Sequence, residues 1–260
     1  MQFGIESSSS VSHGAILALA SSTAWCSVAL RWHSAGRSRW CVRSELVGHQ
    51  HSHRALAIVR DLLIDAGLAL SDVDALAFDA GPGSFTGIRI GCGLAQGLGF
   101  AVGKPLLAVS SLEALAWQAG AANALVAIDA RMQQVYHGVF CVDGADVSAS
   151  APLQVDDPQR AAEQLLSFLP DGDCAGGWLA VGDGFEKYPS LRQAIRERGL
   201  SILNTQFARA DAVAAIAAYR LAHGEGVEAA RASPIYVRDK VALDVDEQRL
   251  ARASRSGAVG

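Results

Sequence analysis

With 260 residues, half of them hydrophobic and 18% charged, the chain has enough apolar surface for one large or two small globular domains. A formal net charge of −4 argues against a strong free-standing nucleic-acid binder, which needs a clustered positive field to displace counterions from phosphates. Five scattered cysteines, Cys26, Cys41, Cys92, Cys141 and Cys174, form no C-x-x-C pair; this argues against a disulfide scaffold or a cysteine-based metal site and suits a reducing cytoplasm.

In chain order, residues 1–14 come first, with serine at positions 7 to 10, no basic start and no small-residue cleavage site. They read as an extension outside the fold rather than a secretory signal. Strands are predicted at 15–20, 25–32 and 39–44, joined by polar turns as in an antiparallel meander. Arg31, Arg37, Arg39 and Arg43 alternate there with apolar residues, the pattern of a solvated strand face. His49, His51 and His53 follow at a spacing of two, which spreads them around a helix and makes them surface or capping groups rather than a metal set. From 53 to 66, Leu56, Val59, Leu62, Leu63 and Ala66 make an apolar stripe at helical spacing, and Gly67 supplies the stop.

A short apolar strand at 75–80 leads into Gly81-Pro82-Gly83-Ser84-Phe85-Thr86-Gly87-Ile88-Arg89, a rigid turn between strand and helix. Counting excludes its common meanings. A Walker loop needs four residues between its glycines and then a phosphate lysine; Gly81 and Gly87 enclose five, and Ile88-Arg89 follow. The G-x-G-x-x-G dinucleotide spacing is missed by one residue, with Lys104 and Pro105 where an acidic residue belongs. Ser84 lacks the G-x-S-x-G frame of a nucleophile elbow. Ser84, Thr86 and Arg89 remain candidates for holding a phosphate or a partner, with turn stabilisation as the structural alternative.

The helix predicted at 88–102 carries Gly87, Gly91, Ala95, Gly99 and Gly103 at every fourth residue, with Gly93 and Gly97 beside them. Each internal glycine costs about 1 kcal/mol relative to alanine, so the bare ridge predicts a backbone packed closely against it. That neighbour is either the chain's own sheet or a second chain. A membrane span is not expected from a segment under eighteen residues that contains Arg89 and Gln96.

Strand 106–109 and helix 112–118 complete a first lobe over 15–120. A second lobe over 121–242 repeats the order: strands at 124–129, 134–142 and 147–155, a helix at 158–168, a strand with a glycine turn at 179–184, and a late helix at 210–222 that crosses back. A tail, 243–260, follows. Two copies of strand, strand, strand, helix, strand, helix describe an α/β fold of the actin-like ATPase (ASKHA, ribonuclease H-like) kind, with two related βββαβα lobes. In that superfamily the opening hairpin holds a magnesium-associated Asp; this chain has Ala20 there. Asp129 and Arg131, where the second lobe's first strand turns, are candidates for contact with nucleotide or partner, or equally a structural ion pair.

The segments Ile16-Leu17-Ala18-Leu19-Ala20-Ser21-Ser22-Thr23, Gly81 to Gly87 with Arg89, Ala95-Gln96-Gly97-Leu98, Val109-Ser110-Ser111-Leu112, Ala127-Ile128-Asp129-Ala130-Arg131-Met132 and Pro234-Ile235-Tyr236-Val237-Arg238 together resemble the TsaB (YeaZ) family, over 15–242. The departures are Ala20, where that family usually has Asp, and the serine-rich start. The resemblance implies a non-catalytic subunit that supports TsaD, the paralogue that transfers threonylcarbamoyl to a tRNA adenosine. Aligned on that paralogue, its two metal-binding histidines fall on Ser111 and Leu115, so no metal and no catalytic residue is expected. The resemblance further implies pairing through the first two helices, with Leu56, Val59, Leu63, Ile88, Gly91, Leu94, Ala95, Leu98 and Gly99 in or near the contact, core burial being the alternative for each. No cofactor is expected on the chain alone, with ATP or ADP a candidate at the TsaD interface. A TsaE-like ATPase is a further partner, a homodimer the arrangement in TsaD's absence, and tRNA is reached only through the complex. An independent actin-like ATPase, kinase or glycoprotease-like enzyme is the alternative.

Overall fold

Alternation of side chains sets the first sheet. A computed structural model describes residues 14–48, 50–170 and 177–238, and the backbone of 2–6. The opening strand of the expected meander follows β1 (Gln2–Glu6) and is β2 (Ile16–Ala20). In β2, Ile16, Ala18 and Ala20 enter one apolar core while Leu17 and Leu19 enter another, as a strand covered on both faces requires. Antiparallel β3 (Trp25–Ser34) and β4 (Arg37–Leu46) lie to one side of β2, and parallel β5 (Ala75–Asp79) and β6 (Leu106–Val109) to the other. The β1 strand pairs antiparallel along β4, Gln2 opposite Val42 and Glu6 opposite Ser38. The expectation that residues 1–14 stay outside the fold is corrected over these five, whose ladder covers the otherwise open edge of β4. Arg31 is also corrected: it pairs across from Ile16, on a face covered by a helix, and is buried.

The second sheet contains β7 (Asn123–Asp129), β8 (Val135–Asp143), β9 (Asp146–Ala149), β10 (Gln154–Asp156), β11 (Trp178–Val181) and β12 (Ile202–Leu203). Its order, β10-β8-β7-β11-β12, repeats β4-β3-β2-β5-β6 of the first sheet, with the same antiparallel and parallel senses. This is the duplicated α/β, actin-like arrangement. The third strand of the second copy, expected as one piece over 147–155, is split into β9 and β10 around Pro152, which has no N–H to give a ladder.

Helices α1 (His51–Ala66) and α2 (Phe85–Val102) cover one face of the first sheet, and α3 (Ser111–Ala119) lies on the other. On the far face of the second sheet are α4 (Pro158–Ser167), α5 (Gly184–Lys187) and α6 (Pro189–Glu197). Alanine-rich α7 (Ala210–Ala222) returns to sit with α3 between the sheets, buried almost all round. Ser27 Oγ and Gln118 Oε1 accept from Ala210 N and Arg209 N at 3.0 and 2.7 Å, and at the far end Arg220 donates to Ala108 O and Glu113. The α2 helix has 18 residues, so the length argument against a membrane span does not hold; its Gly87, Ile88, Gly91, Cys92, Ala95 and Gly99 face is instead packed inside this chain. His49, Cys174 and the 243–260 tail lie outside the described residues.

Candidate functional site

The glycine ridge meets the chain's own backbone and side chains. A Cβ at Gly87 would overlap Ser21 O, one at Gly91 would overlap Ser21 Oγ, and one at Gly99 would overlap the Leu106 side chain. Gly83 likewise lies against Ser22, whose carbonyl accepts from Ser84 N at 2.6 Å, while Ser21 Oγ donates to Gly87 O at 2.9 Å. The turn and the first half of α2 are thus clamped onto the β2–β3 hairpin. Direct partner contact for Gly91, Gly99, Ala95, Ile88, Val59 and Leu63 is therefore corrected: all six are buried within this chain. Leu94 and Leu98 are half-buried against the same core, and Leu56 is 46% exposed. What α2 turns outward is its other glycine pair, Gly93 and Gly97, with open space where a Cβ would stand. Phe100, 81% exposed, shares that side, and α1 adds Ile64, 68% exposed.

Between the lobes lies a cleft of about 1000 Å³. Ser22, Thr23, His51, Ser84 and Thr86 line it from the first lobe, Asp129, Arg131, Asp183 and Lys187 from the second, and the chain's run over 235–238 crosses it. Four of the five polar candidates, Ser84, Thr86, Asp129 and Arg131, are brought together here; Arg89 stands at the rim, its Nε donating to Tyr236 Oη at 3.0 Å. Ser84 acts as the N-cap of α2, accepting from Gly87 N. His51 is buried at the start of α1 and His53 exposed. Among the described residues, no group of three His, Cys, Asp or Glu side chains is placed to hold a metal ion.

Asp129 organises the second-lobe wall. It accepts from Lys187 Nζ at 2.5 Å, Tyr188 Oη at 2.8 Å and Arg131 N at 2.9 Å, with the Arg131 guanidinium 3.3 Å away. Burial opposes its ionisation, yet the bonds from Lys187, Tyr188 and Arg131 together hold its carboxyl below the ordinary range. Asp183, which accepts from Asp129 N at 3.0 Å, is raised by burial. After Asp129 the backbone is left-handed at three successive non-glycine residues, Arg131, Met132 and Gln133, with φ of 62°, 52° and 59°, at about 1–2 kcal/mol each. Arg238 braces that turn, donating to Ala130 O at 3.1 Å and Gln134 Oε1 at 2.6 Å.

Sequence reasoning missed Asp79, buried at the end of β5, where it accepts from Ser111 Oγ at 2.5 Å and Gly81 N at 3.1 Å. Burial raises its carboxyl above the ordinary value, against the pull of Ser111, Ser22 and Gly81. The folded chain thus holds this proton more tightly than the unfolded one, so the contribution is complete below about pH 4 and is lost as pH rises through the folded value. Asp79→Asn is expected to gain stability relative to the parent as pH increases. Urea unfolding of both proteins across the pH range checks this; a pH-independent difference would contradict it.

The family model described as "TsaD: tRNA N6-adenosine threonylcarbamoyltransferase" matches residues 42–242. The tRNA threonylcarbamoyladenosine biosynthesis protein TsaB of Escherichia coli (strain K12) is 35% identical over 237 residues, covering 87% of this chain and 96% of its own. Its Haemophilus influenzae counterpart is 34% identical over 234 residues, covering 87% and 94%. Among solved structures, YeaZ from Pseudomonas aeruginosa superposes with a TM-score of 0.70 at 37% identity, covering 86% of this chain and 99% of that one. Shared sequence over nearly the whole length, on the same duplicated fold, places this chain in the TsaB (YeaZ) family.

Proposed function

We propose that this chain is a non-catalytic, activating subunit in tRNA threonylcarbamoyladenosine synthesis, and that it docks a TsaD-like catalytic subunit on the outward faces of α1 and α2. The carrying observation is that α2 exposes Phe100 beside two open glycines, with Leu56 and Ile64 exposed on neighbouring α1. An apolar surface with room for close helix approach suits a helical partner. The non-catalytic reading is supported by Ala20 in the opening hairpin and by Ser111 and Leu115 at the aligned metal positions, none of which offers a carboxylate or imidazole. On this reading the chain holds no cofactor alone, and ATP or ADP enters at the interface with the TsaD-like subunit. A TsaE-like ATPase joins the assembly, and the same helix face pairs two copies when the partner is absent. Reconstitution tests it. The purified chain alone is expected neither to hydrolyse ATP appreciably nor to modify tRNA, and its addition to the TsaD-like subunit and a threonylcarbamoyl-adenylate supply is expected to switch modification on. Turnover by the single chain would favour an independent enzyme.

A further inference from the structure

The mouth of the interlobe cleft alternates planar rings and positive charges. On one lip the Arg89 guanidinium lies 3.7 Å above the Phe85 ring centroid and 5.8 Å from that of Tyr236, and both rings are about half exposed. Arg238 lies 5.8 Å from the Tyr136 ring centroid. Among the described residues, the hydrogen-bond partners that hold these two arginines, Tyr236 Oη for one and Ala130 O, Gln134 and Met132 for the other, are all neutral. Across the mouth, Arg131 and Lys187 share the single carboxylate of Asp129, which leaves an excess of one positive charge, and the Arg131 side chain is 83% exposed. Asp183 and Glu186 also stand there, accepting from the neutral donors Asp129 N and Asn204 Nδ2, which cancel no charge, so four cations, Arg89, Arg131, Lys187 and Arg238, face the three carboxylates of Asp129, Asp183 and Glu186, with burial opposing ionisation of Asp183. In a chain of net charge −4, this mouth is slightly positive, with stacking surfaces set into it.

Such a surface suits alternating bases and phosphates. We infer that the cleft mouth binds a single-stranded RNA segment, its bases stacking at Phe85, Arg89 and Tyr236 and its phosphates meeting Arg131 and Arg238. A free nucleotide fits less well, because the backbone that would cradle its phosphates is already engaged: Ser84 N binds Ser22 O and Gly87 N binds Ser84 Oγ. The inference rests on the reading that the chain works in a tRNA-modifying assembly, and gives it a direct part in holding the RNA there.

The test is fluorescence anisotropy with a labelled anticodon stem-loop RNA, using the full chain with its TsaD-like subunit and the full chain alone. Arg89→Ala and Arg131→Glu are each expected to weaken RNA binding about tenfold, the former through lost stacking and the latter with a salt dependence shallower by about one unit of slope. Arg89→Lys, which keeps charge without the planar stack, should fall between. Co-elution with the TsaD-like subunit should be unchanged for Arg131→Glu, which lies on the second-lobe wall of the cleft and not on α1 or α2, so failure here is separable from failure of the docking reading. Unchanged RNA affinity in the exposed-site variant Arg131→Glu would overturn the inference, as would displacement of the RNA by ADP at concentrations that merely saturate a nucleotide site.

Discussion

Gly87→Val is expected to destabilise the isolated chain by more than about 3 kcal/mol, enough to remove much of the stability of an ordinary domain. The new Cβ would overlap the Ser21 carbonyl oxygen, a backbone atom that cannot rotate away. Moving the hairpin would break Ser84 N to Ser22 O and Ser21 Oγ to Gly87 O together. Gly91→Leu should also be costly, somewhat less so, because the nearest atom it meets is the Ser21 hydroxyl. The control lies on the same helix: Gly93→Ala has open space around its Cβ and should stabilise by about 0.5–1 kcal/mol through helix propensity alone. Urea unfolding of the three variants checks the order. Equal midpoints for Gly87→Val and the parent would mean that the hairpin does not press on α2 as described.

That contrast shows what the sequence could and could not express. A spacing of four in glycine and alanine states that one helix face is bare, yet Gly87, Gly91 and Gly99 meet this chain's own backbone and side chains while Gly93 and Gly97 meet nothing. Both sets obey helical spacing; what separates them is the position of the β2–β3 hairpin over Gly87 and Gly91, a long-range pairing that no local window contains, and of Leu106 and Ala229 over Gly99. The duplicated order of strands was legible because alternation and glycine turns are local signals, and α7 was placed closely because alanine-rich helical spacing is local too. The α6 helix was missed although Pro189 at its start and Leu191 and Ile195 four apart were available. The β12 strand, two residues long, is too short for any periodicity to register. In the cleft, Asp129 and Arg131 could be picked out as an exposed polar pair at a turn. Their partners Lys187 and Tyr188 lie 58 and 59 residues from Asp129 and carry no local mark. Arg31 misled by the same logic: the register places it across from Trp40, on the face opposite to that of Arg37, Arg39 and Arg43, and the return of α7 makes that face an interior one.

Phe100→Asp is expected to abolish stable association with the TsaD-like subunit while leaving the chain's own unfolding midpoint nearly unchanged. The side chain is 81% exposed, so its removal opens no cavity, whereas at an interface a buried aromatic anchor is worth about 2 kcal/mol or more and a carboxylate in its place adds a desolvation penalty. The combined loss, about a hundredfold or more in affinity, is readable by co-elution or calorimetry. Gly97→Trp probes the same face differently: it retains apolar character but fills the space that lets a partner helix approach, so it too should fold and fail to dock. If two copies pair through this face in the partner's absence, both variants should run as monomers in sedimentation, because one surface serves both associations. A Phe100→Asp chain that still docks with unchanged affinity would remove the outer face of α2 from the interface and return the search to the cleft side of the molecule.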